Sequence, residues 1–158
     1  MDELNNGNVN ENSVEDIVAR YKEPVKQLLP YLGWLKENAD REVAQNYSSD
    51  NLSSTIPFPV YDSNLLSFVK AAQATGMMDR NWPYVYTRNH LNNVKDEHLF
   101  IEDAQITDIA DLFGILSKYV LSGMTKGSVW AEGVRNGSMY LALEKMRELL
   151  RYWGEREL

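Results

Sequence analysis

Three groups of side chains in this sequence have the types and spacing from which chemistry could be built. The densest runs over 126–135, where Lys126, Gly127, Trp130, Glu132, Gly133 and Arg135 fall within ten positions. Glu132 and Arg135 are three apart, a spacing that lets two side chains pair on one helical face. Gly133 inside the same helix costs about 1 kcal/mol relative to alanine, so close packing or a site has to justify it. Trp130 stands one turn before Val134, on a face that could bury it. A Glu132 carboxyl held in such a face would be a general acid. A structural bond from it to an arginine or a helix end is the favoured reading.

The second group, Arg80, Trp82, Tyr84, Tyr86 and Arg88, interleaves aromatic and basic residues. That pattern stacks on bases or on partner side chains. Because the surrounding chain is acidic, we read these aromatics as anchors onto helices, with the arginines solvated. Together the two groups give a candidate ligand- or partner-binding set of Trp82, Arg88, Lys126, Trp130, Glu132 and Arg135, with no catalytic residue assigned. The third group sets His90 and His98 near Asp96, Glu97, Glu102 and Asp103. His98 and Glu102 share a helical face, but the spacing follows no familiar metal-ligand pattern. We read the group as solvated surface, and expect neither metal nor cofactor. Phosphate-binding glycine loops, dinucleotide fingerprints, zinc-protease helices and nucleophile elbows are all missing from the sequence. The reading leans away from an enzyme.

These residues have to be positioned by helices. Residues 1–12 lack periodicity and read as a disordered tail, leaving 13–158 as a single helical domain. Ser13 and Asp16 resemble an N-terminal capping pair, followed by an apolar stripe from Val14 to Leu35 that Pro24 and Pro30 interrupt. The stripe predicts one helix over 14–22 and another over 24–38, kinked at Pro30. Residues 46–59 read as a polar surface loop. Asp62 or Ser63 then caps a helix that Gly76 ends. Residues 77–94 suit helix or irregular structure better than a strand. Asp103 or Thr107 opens a helix carrying Ile109, Leu112, Phe113, Leu116 and Val120, which Gly123 ends. A short helix over 126–136 stops at Asn136-Gly137, and Ser138 caps the last. Its stripe is Met139, Ala142, Leu143, Met146, Leu149, Leu150 and Trp153. The fold class this predicts is all-α, a compact single-domain bundle of about five to seven helices.

Composition narrows the function further. A chain of 158 residues is of ordinary single-domain size. With no cysteine there is no disulfide or thiolate chemistry, and a reducing, cytoplasmic setting fits. No apolar run is long enough to span a bilayer, so no membrane role is expected. The net charge of −7 is uneven: 96–111 holds Asp96, Glu97, Glu102, Asp103, Asp108 and Asp111 without a basic residue. Such a balance repels phosphate backbones. The basic residues Lys145, Arg147, Arg151 and Arg156 are offset by Glu144, Glu148, Glu155 and Glu157, so direct nucleic-acid binding ranks last.

Order and spacing also bring a resemblance. Phe68, Val69, Lys70, Ala71 and Ala72, then Gly76, Met77, Met78 and Asp79, then Asn81, Trp82 and Pro83, and the block 112–150 resemble an uncharacterised family, a domain of unknown function of small bacterial proteins. Its strongest motif is matched by Lys126, Gly127, Trp130, Glu132 and Gly133, with Gly137 at the following break. Ser128 and Val129 depart from a charged pair in that motif. The resemblance, over roughly 60–152, implies an all-helical protein, common in Gram-positive bacteria and often encoded beside plasmid and conjugative-element genes. It implies no activity. The expectation is a non-enzymatic accessory module that binds another protein, with homo-oligomers left open. One alternative is an acidic counter-defence inhibitor seated in the basic groove of a nucleic-acid enzyme. The other is a small-ligand binder or enzyme built on the Trp/Glu/Arg set.

Overall fold

The helix Ile109–Thr125 (α6) is apolar around most of its circumference, not along one stripe, with Leu112, Ile115, Leu116, Tyr119 and Val120 all fully buried. A helix of that kind has to be enclosed. In the computed structural model, which describes the backbone of residues 2–39, 62–154 and 158 and the side chains of 14–39, 62–154 and 158, the other described helices enclose it. Ser138–Tyr152 (α8) lies along α6, Ser128–Arg135 (α7) packs on both, and Trp82–Arg88 (α4) covers another side of α6. Val94–Asp103 (α5) rests on α8. Asp2–Leu28 (α1) and Leu32–Asn38 (α2) also lie against α8, and Ser63–Ala74 (α3) bridges α1 and α6. The result is an all-α bundle around one continuous core, with no strand among the described residues.

Several local signals act as the sequence predicts. Asp62 caps α3, its carboxylate accepting from the Asn64 amide at 2.7 Å and the Leu65 amide at 3.3 Å. Gly76 (φ +74°) and Gly137 (φ +84°) take the left-handed conformation that glycine adopts without steric cost. Trp82-Pro83 begins α4, where the missing proline N–H has no helical partner to lose.

Other boundaries differ. α1 starts at Asp2 instead of Ser13, although the first described side chain against the core is Val14. It passes through Pro24 without ending, because Tyr21, Val25 and Leu28 keep one buried face across the proline. The break falls at Pro30 instead, in the 3-10 turn Leu29–Tyr31. α6 opens from the 3-10 turn Ile106–Asp108, where Gln105 and Asp108 form a reciprocal capping box. Gly123 does not end α6, which continues to Thr125. Ser138 does not cap α8: Gly137 holds that position, and the Ser138 hydroxyl is used elsewhere. Trp153, placed by periodicity on the core stripe, is 47% exposed past the end of α8. The 46–59 connection lies outside the described residues.

Candidate functional site

Among the described residues the buried carboxylate is Glu97, not Glu132. Asn93 caps α5 by accepting from the Asp96 amide at 2.8 Å, which puts Glu97 in the first turn with its side chain inward and fully buried. Amides at a helix N-terminus favour a negative charge there. Oε1 accepts from the Tyr119 hydroxyl and the Ser138 hydroxyl, each at 2.6 Å. Oε2 accepts from the Tyr86 hydroxyl at 2.6 Å and the Lys118 ammonium at 3.3 Å. One side chain of α5 is thereby tied to α4, α6 and α8. Asn136 completes the cluster, donating to the Tyr119 oxygen at 3.0 Å while its own oxygen accepts from the Ser138 amide.

Burial pushes the Tyr86 and Tyr119 phenols far above their ordinary range. The Glu97 charge and their hydrogen bonds to it push further the same way. Both are therefore neutral donors at any physiological pH. The Lys118 ammonium lies 4.8 Å from the Tyr86 ring centre and 5.0 Å from that of Tyr119, where the ring faces attract a cation. A carboxylate offers about four acceptor sites, and all are occupied here. All four donors to Glu97 come from the protein itself, so the cluster ties helices α4, α5, α6 and α8 together.

The sequence-selected residues are dispersed. Trp82 is half-buried, edge-on to Tyr86. Arg88 is exposed, over the Tyr84 ring and paired with Asp111 near the start of α6. Lys126 is exposed beyond the opposite end of α6. Trp130 donates its indole N–H to the Val120 carbonyl at 2.8 Å and packs directly against Gly123. Asp111 and Gly123 stand about 18 Å apart at 1.5 Å per helical residue. Arg88 and Trp130 therefore sit at different ends of the bundle. Glu132 is exposed, whereas Arg135 is buried.

In the sequence Glu97 stands within an acidic run that reads as solvated surface. The signal was present: Val94, Glu97, Ile101 and Ala104 follow helical spacing, and position 97 falls on the inward stripe. The run itself is divided by the fold. Glu97 goes inside, Asp111 is spent on Arg88, and Asp108 caps a turn, while Glu102 and Asp103 stay exposed.

Two depressions flank the outer side of α5. One, of about 390 Å³, lies between α5 and α8, with Ile101 and Leu141 as its apolar part and Glu102, Glu144 and Glu148 among its polar lining. His98 also lines it, and its Nε2 is buried without a hydrogen-bond partner. The other, of about 290 Å³, lies toward the 89–91 turn and includes Leu91, Phe100, Asp96 and Asp103. Leu99, 51% exposed, borders this second depression. Among the described residues, no three histidine or carboxylate groups gather as a metal ion would need. No helix among them is long and apolar enough to cross a membrane.

No family model matches the chain, and no curated protein or solved structure matches it.

Proposed function

We propose that this chain is a non-enzymatic protein-binding module whose recognition surface is the outer side of α5 with its two flanking depressions. The observation that carries the reading is Leu99, a large aliphatic side chain left half in water beside apolar-floored depressions. A depression with an apolar floor and a polar rim is the usual anatomy of a protein-binding patch.

The test is affinity purification from the native host with the wild-type chain and with Leu99→Arg as bait. Leu99 is exposed, so the substitution changes stability by no more than about 0.5 kcal/mol. The expected result is a partner recovered by the wild type and lost by the variant. An identical set of proteins on both baits would overturn the proposal.

A narrower reading rests on the resemblance of segments 68–83 and 112–150 to the small helical bacterial family: an accessory protein of a mobile element, acting in the cytoplasm. What supports the cytoplasmic setting is the cysteine-free composition. The counter-defence alternative keeps Glu102 and Asp103 as an exposed acidic pair, but not the whole six-carboxylate run.

A further inference from the structure

We infer that the occupant of the α5 surface is a basic amphipathic segment of a partner protein, which seats an apolar side chain in the α5–α8 depression and sets lysine or arginine against its rim. The inference rests on the protein-binding reading and names the chemistry of the partner.

Charge is the first argument. Among the described residues, the α5–α8 depression is lined by three carboxylates, Glu102, Glu144 and Glu148, against Lys145 alone as a basic side chain of lysine or arginine type, and the depression on the other side of α5 adds Asp96 and Asp103. Lys145 is already engaged, its ammonium donating to the Glu102 main-chain carbonyl at 3.0 Å. Glu144 is partly neutralised by Arg147 at 2.9 Å. Glu102 and Glu148 are exposed and make no ion pair with a described residue. A phosphate backbone or an acidic peptide is repelled by such a rim, and a cationic segment is drawn to it.

Shape is the second argument. Ile101 and Leu141 give the depression an apolar patch beside that rim, and Leu99 stands exposed on the same helix. Exposed ion pairs contribute little affinity each. The apolar anchor therefore supplies most of the binding energy, and the carboxylates supply orientation, encounter rate and discrimination by charge. A simple cation such as a polyamine would use the rim and leave the apolar patch open. A helix of the partner with one apolar and one basic face uses both, in the helix-in-groove manner.

The test titrates the isotope-labelled full chain with a synthetic amphipathic helix of leucine and lysine, and separately with the same pattern carrying glutamate in place of lysine. The basic peptide is expected to shift the amides of 96–103 and 141–148, and to bind more weakly as salt is raised. The doubly charge-reversed Glu102→Lys/Glu148→Lys variant, its fold checked by circular dichroism, is expected to bind it about tenfold more weakly. Leu99→Ala is expected to weaken binding without changing its salt dependence. Equal binding of both peptides, shifts on another face, undiminished binding by the charge-reversed variant, or spermine giving the same shifts as tightly would each overturn the inference. So would self-association of the chain through α5. The two proposals fail separately: a native partner lost on Leu99→Arg but indifferent to Glu102→Lys/Glu148→Lys keeps the protein-binding reading and removes the basic occupant. A partner indifferent to Leu99→Arg removes the reading itself.

Discussion

Glu97 and Glu132 are both helical glutamates in this chain, and they have opposite physical fates. A carboxylate taken wholly out of water is tolerated when its lone pairs are filled by donors and its charge is matched, as Tyr86, Tyr119, Ser138 and Lys118 do for Glu97. Removing it strands three hydroxyls in the interior and leaves Lys118 without its counter-charge. Glu97→Ala is therefore expected to cost about 3–5 kcal/mol, read from the shift in urea midpoint. Glu132→Ala, on an exposed position, is expected to stay within about 0.5 kcal/mol. A Glu97→Ala protein as stable as the wild type would mean the cluster is incidental to the fold. Residue type alone favoured Glu132, because Trp130 and Gly133 beside it are unusual choices for a helix. Glu97 sat unremarked among similar charges, although its register with Val94 and Ile101 pointed inward.

At the scale of elements, the unusual choices in α7 are explained by its neighbours. A Cβ on Gly123 would land inside the Trp130 indole, so the glycine lets α7 close on α6 with the Trp130 N–H on the Val120 carbonyl. A Cβ on Gly133 would come within 2.5 Å of the Tyr119 ring and 2.8 Å of Met139 Cε, and Tyr119 is held in place by Glu97. Helix propensity alone makes Gly→Ala worth up to about 1 kcal/mol in favour of alanine. Overpacking at these contacts works against it by about 1–3 kcal/mol. Gly123→Ala is thus expected to destabilise the wild type, yet to be neutral or stabilising in a Trp130→Ala background. Thermal or urea unfolding of the four proteins of that cycle measures the coupling. Equal effects in both backgrounds would separate the glycine from the indole. Pro24 follows the same logic: the buried face through Tyr21, Val25 and Leu28 outweighs the lost backbone bond, which local rules alone price as a helix end.

Across the whole molecule, the Glu97 cluster makes stability depend on alkaline pH. Both phenols bind their protons more tightly in the folded protein than in the unfolded chain, where a tyrosine titrates near about 10. A raised folded-state value means the contribution is fully present below that pH and is lost as pH rises above it, since only the unfolded chain releases these protons. Stability is expected to fall steadily above roughly pH 10. In a spectrophotometric titration, two of the nine tyrosines are expected to form phenolate only as helicity is lost. Complete ionisation of all nine with the helical circular dichroism intact would contradict the cluster as described.

By itself the sequence determined the helical class, a cap at Asp62 or Ser63, the left-handed stops at Gly76 and Gly137, and the apolar stripe of α8 from Met139 to Leu150. Those features depend on interactions within a turn or two, which spacing encodes directly. Only the tertiary structure decided which carboxylate goes inside, why glycine stands at 123 and 133, and which outer face keeps its apolar and acidic groups together. The donors to Glu97 come from 11, 21, 22 and 41 positions away, on helices whose mutual rotation no local period records. A helix face can be read one residue at a time, but its partner is set by how whole helices pack.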